Sequence, residues 1–141
     1  MTRRIEVAGS IVTTLIGAEE SDGRVSVVEL ETPPGPMPGT MHWHTCEAWT
    51  AHVLAGRIHI RFEDGERDLE AGDVIHVPAR RAFSWSNAIA EPSRLLFVYT
   101  PGGFEHYFVE IGELFRTGKP FAELLPHIVA LSEKYGIERQ S

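Results

Sequence analysis

PPGPMPGTMHWHTCEAWTAHVLAG, residues 33–56, decides the reading of this chain. A Pro/Gly-rich loop runs into His42-Trp43-His44 and then into a strand-like run that ends at Gly56. In an extended strand, residues two apart project from the same face. His42 and His44 therefore present two imidazoles to one side and Trp43 turns to the other. Neutral imidazole suits Zn, Fe, Ni and Cu, so a strand with such a pair supplies half of a metal site.

The segments around this stretch read as short strands separated by turns. Residues 24–30 (RVSVVEL) alternate, with Val25, Val27 and Glu29 on one side. Residues 48–54 and 57–62 flank Gly56, and in the second Ile58, Ile60 and Phe62 share a face. Glu63-Asp64-Gly65-Glu66 is a hairpin signal. Glu70-Ala71-Gly72-Asp73 is another turn, followed by strands at 74–77, 82–86 and 95–100. Regular turns between short strands predict an antiparallel sandwich or barrel. After Pro101-Gly102-Gly103 the period changes: Phe104, Phe108, Ile111 and Phe115 fall at helical spacing. Gly118-Lys119-Pro120 breaks that pattern. Pro126 then suits the first turn of a last helix, with Ile128, Leu131 and Tyr135 inward and Gly136 at its end.

Composition bounds the function. The 141 residues fit one domain with a sizeable core. The net charge is −7 and no basic stripe is present, which argues against nucleic acid. No apolar run approaches the roughly 20 residues that span a membrane, and the N-terminal segment lacks a signal-peptide core. The expected compartment is the cytoplasm. Cys46 is the single cysteine, so no internal disulfide forms. It reads as a small half-buried hydrophobe or, lying near the histidines, as a reactive or metal-binding thiol.

From residue 23 to 108 the chain resembles a small single-domain cupin of the quercetin-dioxygenase-like kind. The first cupin motif is matched by His42, His44 and Gly56, and the second by Gly72, DVIHV, Pro78 and Asn87. TPGGFEHYF (residues 100–108) and the PPG before the histidines are similar to flanking segments of the same family. The resemblance implies an all-β fold: an antiparallel double-stranded β-helix, or jelly-roll barrel, with short C-terminal helices. The whole chain, 1–141, would be one domain, with the barrel over about 10–103 and the helical segment over about 104–136. It also implies a homodimer and a small-molecule substrate.

Three positions depart from the family pattern. The first-motif Glu position falls on Trp49, with Glu47 two residues earlier. The second-motif His position falls on Phe83, and its Gly position on Arg80. Two readings of the site remain. In one, His42, His44 and Glu47 form a catalytic two-His, one-carboxylate set for a divalent transition metal (Fe, Zn, Ni or Mn). In the other no metal binds: Trp49, Phe83, Trp85 and Tyr99 line an aromatic pocket and the histidines act as hydrogen-bonding or acid–base groups. The first would be an oxygenase, isomerase or cyclase acting on a small, aromatic or polyketide-like molecule. The second includes a non-catalytic ligand-binding cupin. His52, His59 and His76 read as structural or surface residues, and Arg80 and Arg81 lie near the expected barrel mouth.

Overall fold

Inward-facing apolar residues alternate along nearly every strand, and that alternation folds the chain into two facing antiparallel sheets. The computed structural model describes residues 3–36 and 41–140. In chain order the strands are β1 (Arg3–Val7), β2 (Ser10–Ile16), β3 (Ser26–Thr32), β4 (Gly35–Pro36), β5 (His42–His44), β6 (Ala48–Ala55), β7 (Arg57–Phe62), β8 (Gly65–Glu70), β9 (Val74–Val77), β10 (Phe83–Asn87) and β11 (Ser93–Thr100). Helices α1 (Glu105–Arg116) and α2 (Phe121–Lys134) follow, and a last strand, β12 (Ile137–Arg139), returns to the barrel. One sheet has the order β1-β2-β3-β11-β6-β9. The other runs β12-β5-β10-β7-β8, with β4 also paired to β10. This is the antiparallel sandwich or barrel that the alternation and the turns predict, in the jelly-roll form that the resemblance to cupins implies. Residues 37–40 of the proline-rich loop lie outside the described residues.

The core sits between the sheets. Val28 and Leu30 of β3, Trp49, Ala51 and Val53 of β6, Ile58 and Ile60 of β7, and Leu95, Phe97 and Tyr99 of β11 are buried there. Val27 and Glu29 take the outer face of β3 and are half-buried.

One end of the barrel is closed by polar contacts among motif residues. Asn87 donates from Nδ2 to the carbonyls of Thr32 (3.2 Å) and Glu91 (2.8 Å). Ser93 Oγ accepts from the Arg57 N–H (3.1 Å) and donates to Asn87 Oδ1 (2.9 Å). Gly56 turns β6 into β7 with φ of +89°. A Cβ there would lie 2.2 Å from Ser93 Oγ. Gly56 and Asn87 thus shape the fold and take no part in chemistry at the histidines, which lie toward the other end of β10. Phe83 pairs with His42, and Asn87 is four residues, about 13 Å, further along the strand.

The C-terminal segment differs from its sequence reading. Helix α2 begins at Phe121, after Pro120, so Pro126 is an interior residue and not a first-turn residue. Leu124 is buried, so extending the helix N-terminally covers apolar surface that a start at Pro126 would leave exposed. The missing Pro126 N–H gives up one helical hydrogen bond. Gly136, with φ of +71°, then reverses the chain. Strand β12 pairs with β5, placing Ile137 opposite His44 and Arg139 opposite His42. Both β1 and β12 lie outside residues 10–103, so the barrel recruits chain from each end. No helix among the described residues is long and apolar enough to cross a membrane.

Candidate functional site

Strand β5 is short, and its neighbours hold it on both sides, β12 on one and β10 on the other. His42 and His44 share its inner face, their ring centres 6.2 Å apart. Trp43 takes the other face and stands opposite Glu138. Phe83 lies against both imidazoles, 4.5 Å from the His42 ring and 5.9 Å from the His44 ring. His42 is half-buried, whereas His44 lies deeper at 6% exposure. Phe104, in the turn before α1, packs 4.4 Å from the His44 ring, and Tyr99 is stacked with it at 6.3 Å.

Glu47 joins the histidines through the path of the chain. Strand parity would separate it from His44, since the two are three residues apart. But β5 belongs to one sheet and β6 to the other, and residues 45–47 cross between them. Thr45 fixes the crossing: its N–H and its Oγ both donate to the Gly136 carbonyl, at 2.8 and 2.9 Å. The crossing resets the alternation, so Glu47 and Trp49 also face inward, and both are buried. Glu47 Oε1 lies 2.5 Å from His44 Nδ1, both side chains 7% exposed. With a carboxylate as acceptor, Nδ1 carries the proton and Nε2 is the free basic nitrogen.

The other residues singled out in the sequence fall into place around this pair. Trp49 meets the Phe83 ring edge-on at 4.9 Å and Phe97 at 5.4 Å. Trp85 is half-buried against the core and, among the described residues, makes no ring contact with the histidines. Burial, and then the negative charges of Glu47 and Glu105, push the Tyr99 hydroxyl well above its ordinary range. Cys46 is exposed on the crossing loop. His59 and His76 bond to Asp68 (2.8 Å) and Thr50 (2.9 Å), away from the barrel interior.

Phe104 and Glu105 were not legible as site residues. Glu105 is 3% exposed. It accepts hydrogen bonds from Ser26 Oγ, from the Ala18 N–H at 2.7 Å and from the Gly103 N–H at 3.0 Å. It thereby clamps the loop after β2 to the start of α1, next to Phe104. Burial raises its carboxyl, but the Ser26 and Ala18 hydrogen bonds and the nearby His106 outweigh that and leave it below the ordinary value. The TPGGFEHYF segment drew attention to this stretch without revealing either contact.

A transition metal does not fit the residues present at the histidines. Catalytic metals are held by three protein ligands. Here Glu47 lies behind His44 on Nδ1, and the two further positions of the family pattern are the Trp49 and Phe83 rings, packed on each other. Among the described residues, the one group of three His, Cys, Asp or Glu donors within 4.8 Å of one another is Glu19, Glu105 and His106. In that group Glu105 already accepts three hydrogen bonds, and His106 Nε2 pairs with Glu19 Oε1 at 3.0 Å. Two surface grooves, of about 270 Å³ along β1–β3 and about 460 Å³ between the helices, do not touch His42 or His44.

Comparison with known proteins agrees with the architecture. Residues 28–99, about half of the chain, match the Cupin domain family. The chain is 28% identical over 108 residues to quercetin 2,3-dioxygenase of Bacillus subtilis (strain 168). The match covers 76% of this chain but only 32% of that protein, so the chain spans about a third of that relative's length. Among solved structures, KdgF from Halomonas sp. superposes with a TM-score of 0.61 at 17% identity, over 75% of this chain and 90% of that one. Oxalate decarboxylase from Bacillus subtilis gives 0.60 at 23% identity, over 72% of this chain and 27% of the other. These structural likenesses carry the fold alone.

Proposed function

Since the chain belongs to the cupin family, we propose that it acts on a small organic molecule at the histidine end of its barrel, by proton transfer and without a metal. The observation that carries this reading is the buried His44 Nδ1–Glu47 Oε1 contact of 2.5 Å inside an aromatic cluster. A base whose second nitrogen is held by a carboxylate has one defined tautomer and orientation, and the carboxylate stabilises the imidazolium formed when Nε2 takes a proton. His42, half-buried on the same face, is a second imidazole to position the substrate or return the proton. Phe83, Phe104 and Tyr99 exclude water around His44. Proton removal and return without net redox is isomerase or cyclase chemistry. A homodimer belongs to the same proposal: β9 is an open sheet edge bearing Val74 at 55% exposure, which favours covering by a second copy.

The test uses untagged protein and a panel of small carbonyl compounds in heavy water, with exchange of carbon-bound hydrogen read by NMR. The expected result is exchange of at least one compound, unaffected by chelator and lost in His44→Asn and Glu47→Gln. Stoichiometric metal with chelator-sensitive turnover would replace this reading by the metal-dependent one. Ligand binding without exchange would make the protein a binding module. Light scattering should give twice 15.7 kDa.

A further inference from the structure

The loop from β9 to β10 runs beside the histidine strand. The Arg80 N–H donates to the His44 carbonyl at 2.7 Å, and the Arg81 N–H donates to the Pro78 carbonyl at 3.3 Å, closing a tight turn. Arg80 is the third residue of that turn and has φ of +72°. Three described non-glycine residues have positive φ: Ala8, Asp22 and Arg80. Ala8 and Gly9 form the two-residue hairpin between β1 and β2, a turn that demands positive φ. Aspartate tolerates the left-handed region better than most residues. Arg80 stands at the third position of a turn that demands positive φ there and that glycine usually fills. A long side chain is held in a conformation that glycine takes freely, one hydrogen bond from His44, and such strain collects where a side chain is used.

The neighbouring charges separate the two arginines. Arg81 Cζ lies 3.7 Å from the Phe62 ring centre, and its Nη2 is 3.4 Å from Asp64 Oδ1. Phe62, Phe83 and His42 stand side by side across β7, β10 and β5, so Arg81 is anchored on the wall of the site. Among the described residues Arg80 has no ion pair and no side-chain hydrogen bond, in a chain with 20 acidic residues and a net charge of −7. Arg80 is exposed, and its backbone is tied to the histidine strand next to Arg81. Guanidinium matches a carboxylate in a planar two-point contact.

We infer that Arg80 is the anion-recognition residue of the site and that the substrate is a small planar organic carboxylate. The inference rests on the site proposed above. The test is calorimetric titration at low salt with benzoate and its neutral counterpart benzamide. Wild-type protein should prefer benzoate by about tenfold or more, as a charged hydrogen-bonded pair supplies. Arg80→Gly should lose that preference while its melting temperature stays unchanged or rises, because glycine relieves the turn. Arg80→Lys should keep part of it. Arg61→Gln removes the same charge from the exposed face of β7 and should keep all of it. Equal affinity of wild-type protein for the two probes, failure of benzoate to bind, an intact preference in Arg80→Gly, or an equal loss in Arg61→Gln would overturn the inference. Titration of Glu47→Gln keeps the two proposals apart. Anion preference there, with no loss of hydrogen exchange, sinks the dyad alone. Exchange intact with no anion preference in wild-type protein sinks the role of Arg80 alone.

Discussion

Replacing Glu105 by glutamine tests how far a clamp remote in sequence supports the site. The carboxylate accepts three hydrogen bonds while 3% exposed. Glutamine keeps one acceptor oxygen, which can serve Ser26 and Gly103. Its amide nitrogen then faces the Ala18 N–H, donor against donor. One charge-assisted bond is lost, about 1.5–3 kcal/mol, and two others become neutral bonds, about 1 kcal/mol weaker each. Relief of the buried charge offsets part of this, leaving a net destabilisation of about 2–4 kcal/mol. For a chain of this length that is a fall in melting temperature of roughly 6–15 °C.

The pH dependence gives a second check. The folded carboxyl lies below its ordinary value of 4.5, so its contribution is complete above that value and is lost as pH falls through the folded one. The gap between the two proteins should be full at pH 7 and should narrow in acid below 4.5. Thermal melts by circular dichroism, repeated across pH, measure both. A Glu105→Gln protein melting within about 2 °C of wild type at pH 7, or a gap that does not change in acid, would refute the reasoning. Phe104 adjoins Glu105 and packs on His44, so near-UV circular dichroism should also change.

Phe83→His places a third imidazole beside rings 4.5 and 5.9 Å away and should tighten Zn²⁺ binding about tenfold or more; unchanged binding by calorimetry would show that position 83 does not converge with the pair. Gly56→Ala puts a Cβ 2.9 Å from the Ser93 Cα in a positive-φ turn. It should destabilise by about 3 kcal/mol or more, and a melting temperature equal to wild type would contradict the close approach. The hydrogen bond to Asp68, opposed by burial and aided by the Glu66 charge, holds His59 above its ordinary 6.5. Its contribution is therefore full below 6.5 and lost as pH rises through the folded value, amounting to a fraction of a kcal/mol. Asp68→Asn should flatten this dependence in urea titrations, and a wild-type slope in that variant would exclude the pair as its source.

What the sequence by itself determined was whatever repeats along the strand or sits in a turn. The alternation of Ile58 and Ile60, the inward pair His42 and His44, the turns at Gly56 and Gly72, and the helical spacing from Phe104 all follow from local periodicity. That Trp49 and Phe83 stand at positions that hold polar ligands in the family pattern came from the resemblance to cupins. Tertiary structure alone decided the orientation of Glu47, the pairing of β12 with β5 and the start of α2 ahead of Pro126. It also brought Phe104 onto His44 and Glu105 onto Ala18, 87 residues away. The physical reason is that side-chain direction is legible only while the chain keeps one dihedral pattern. Between His44 and Ala48 the backbone leaves one sheet for the other, and parity no longer carries across. Strand β12 is three residues without alternation, so its partner is chosen by where α2 ends and Gly136 turns, which is information held by the packed molecule.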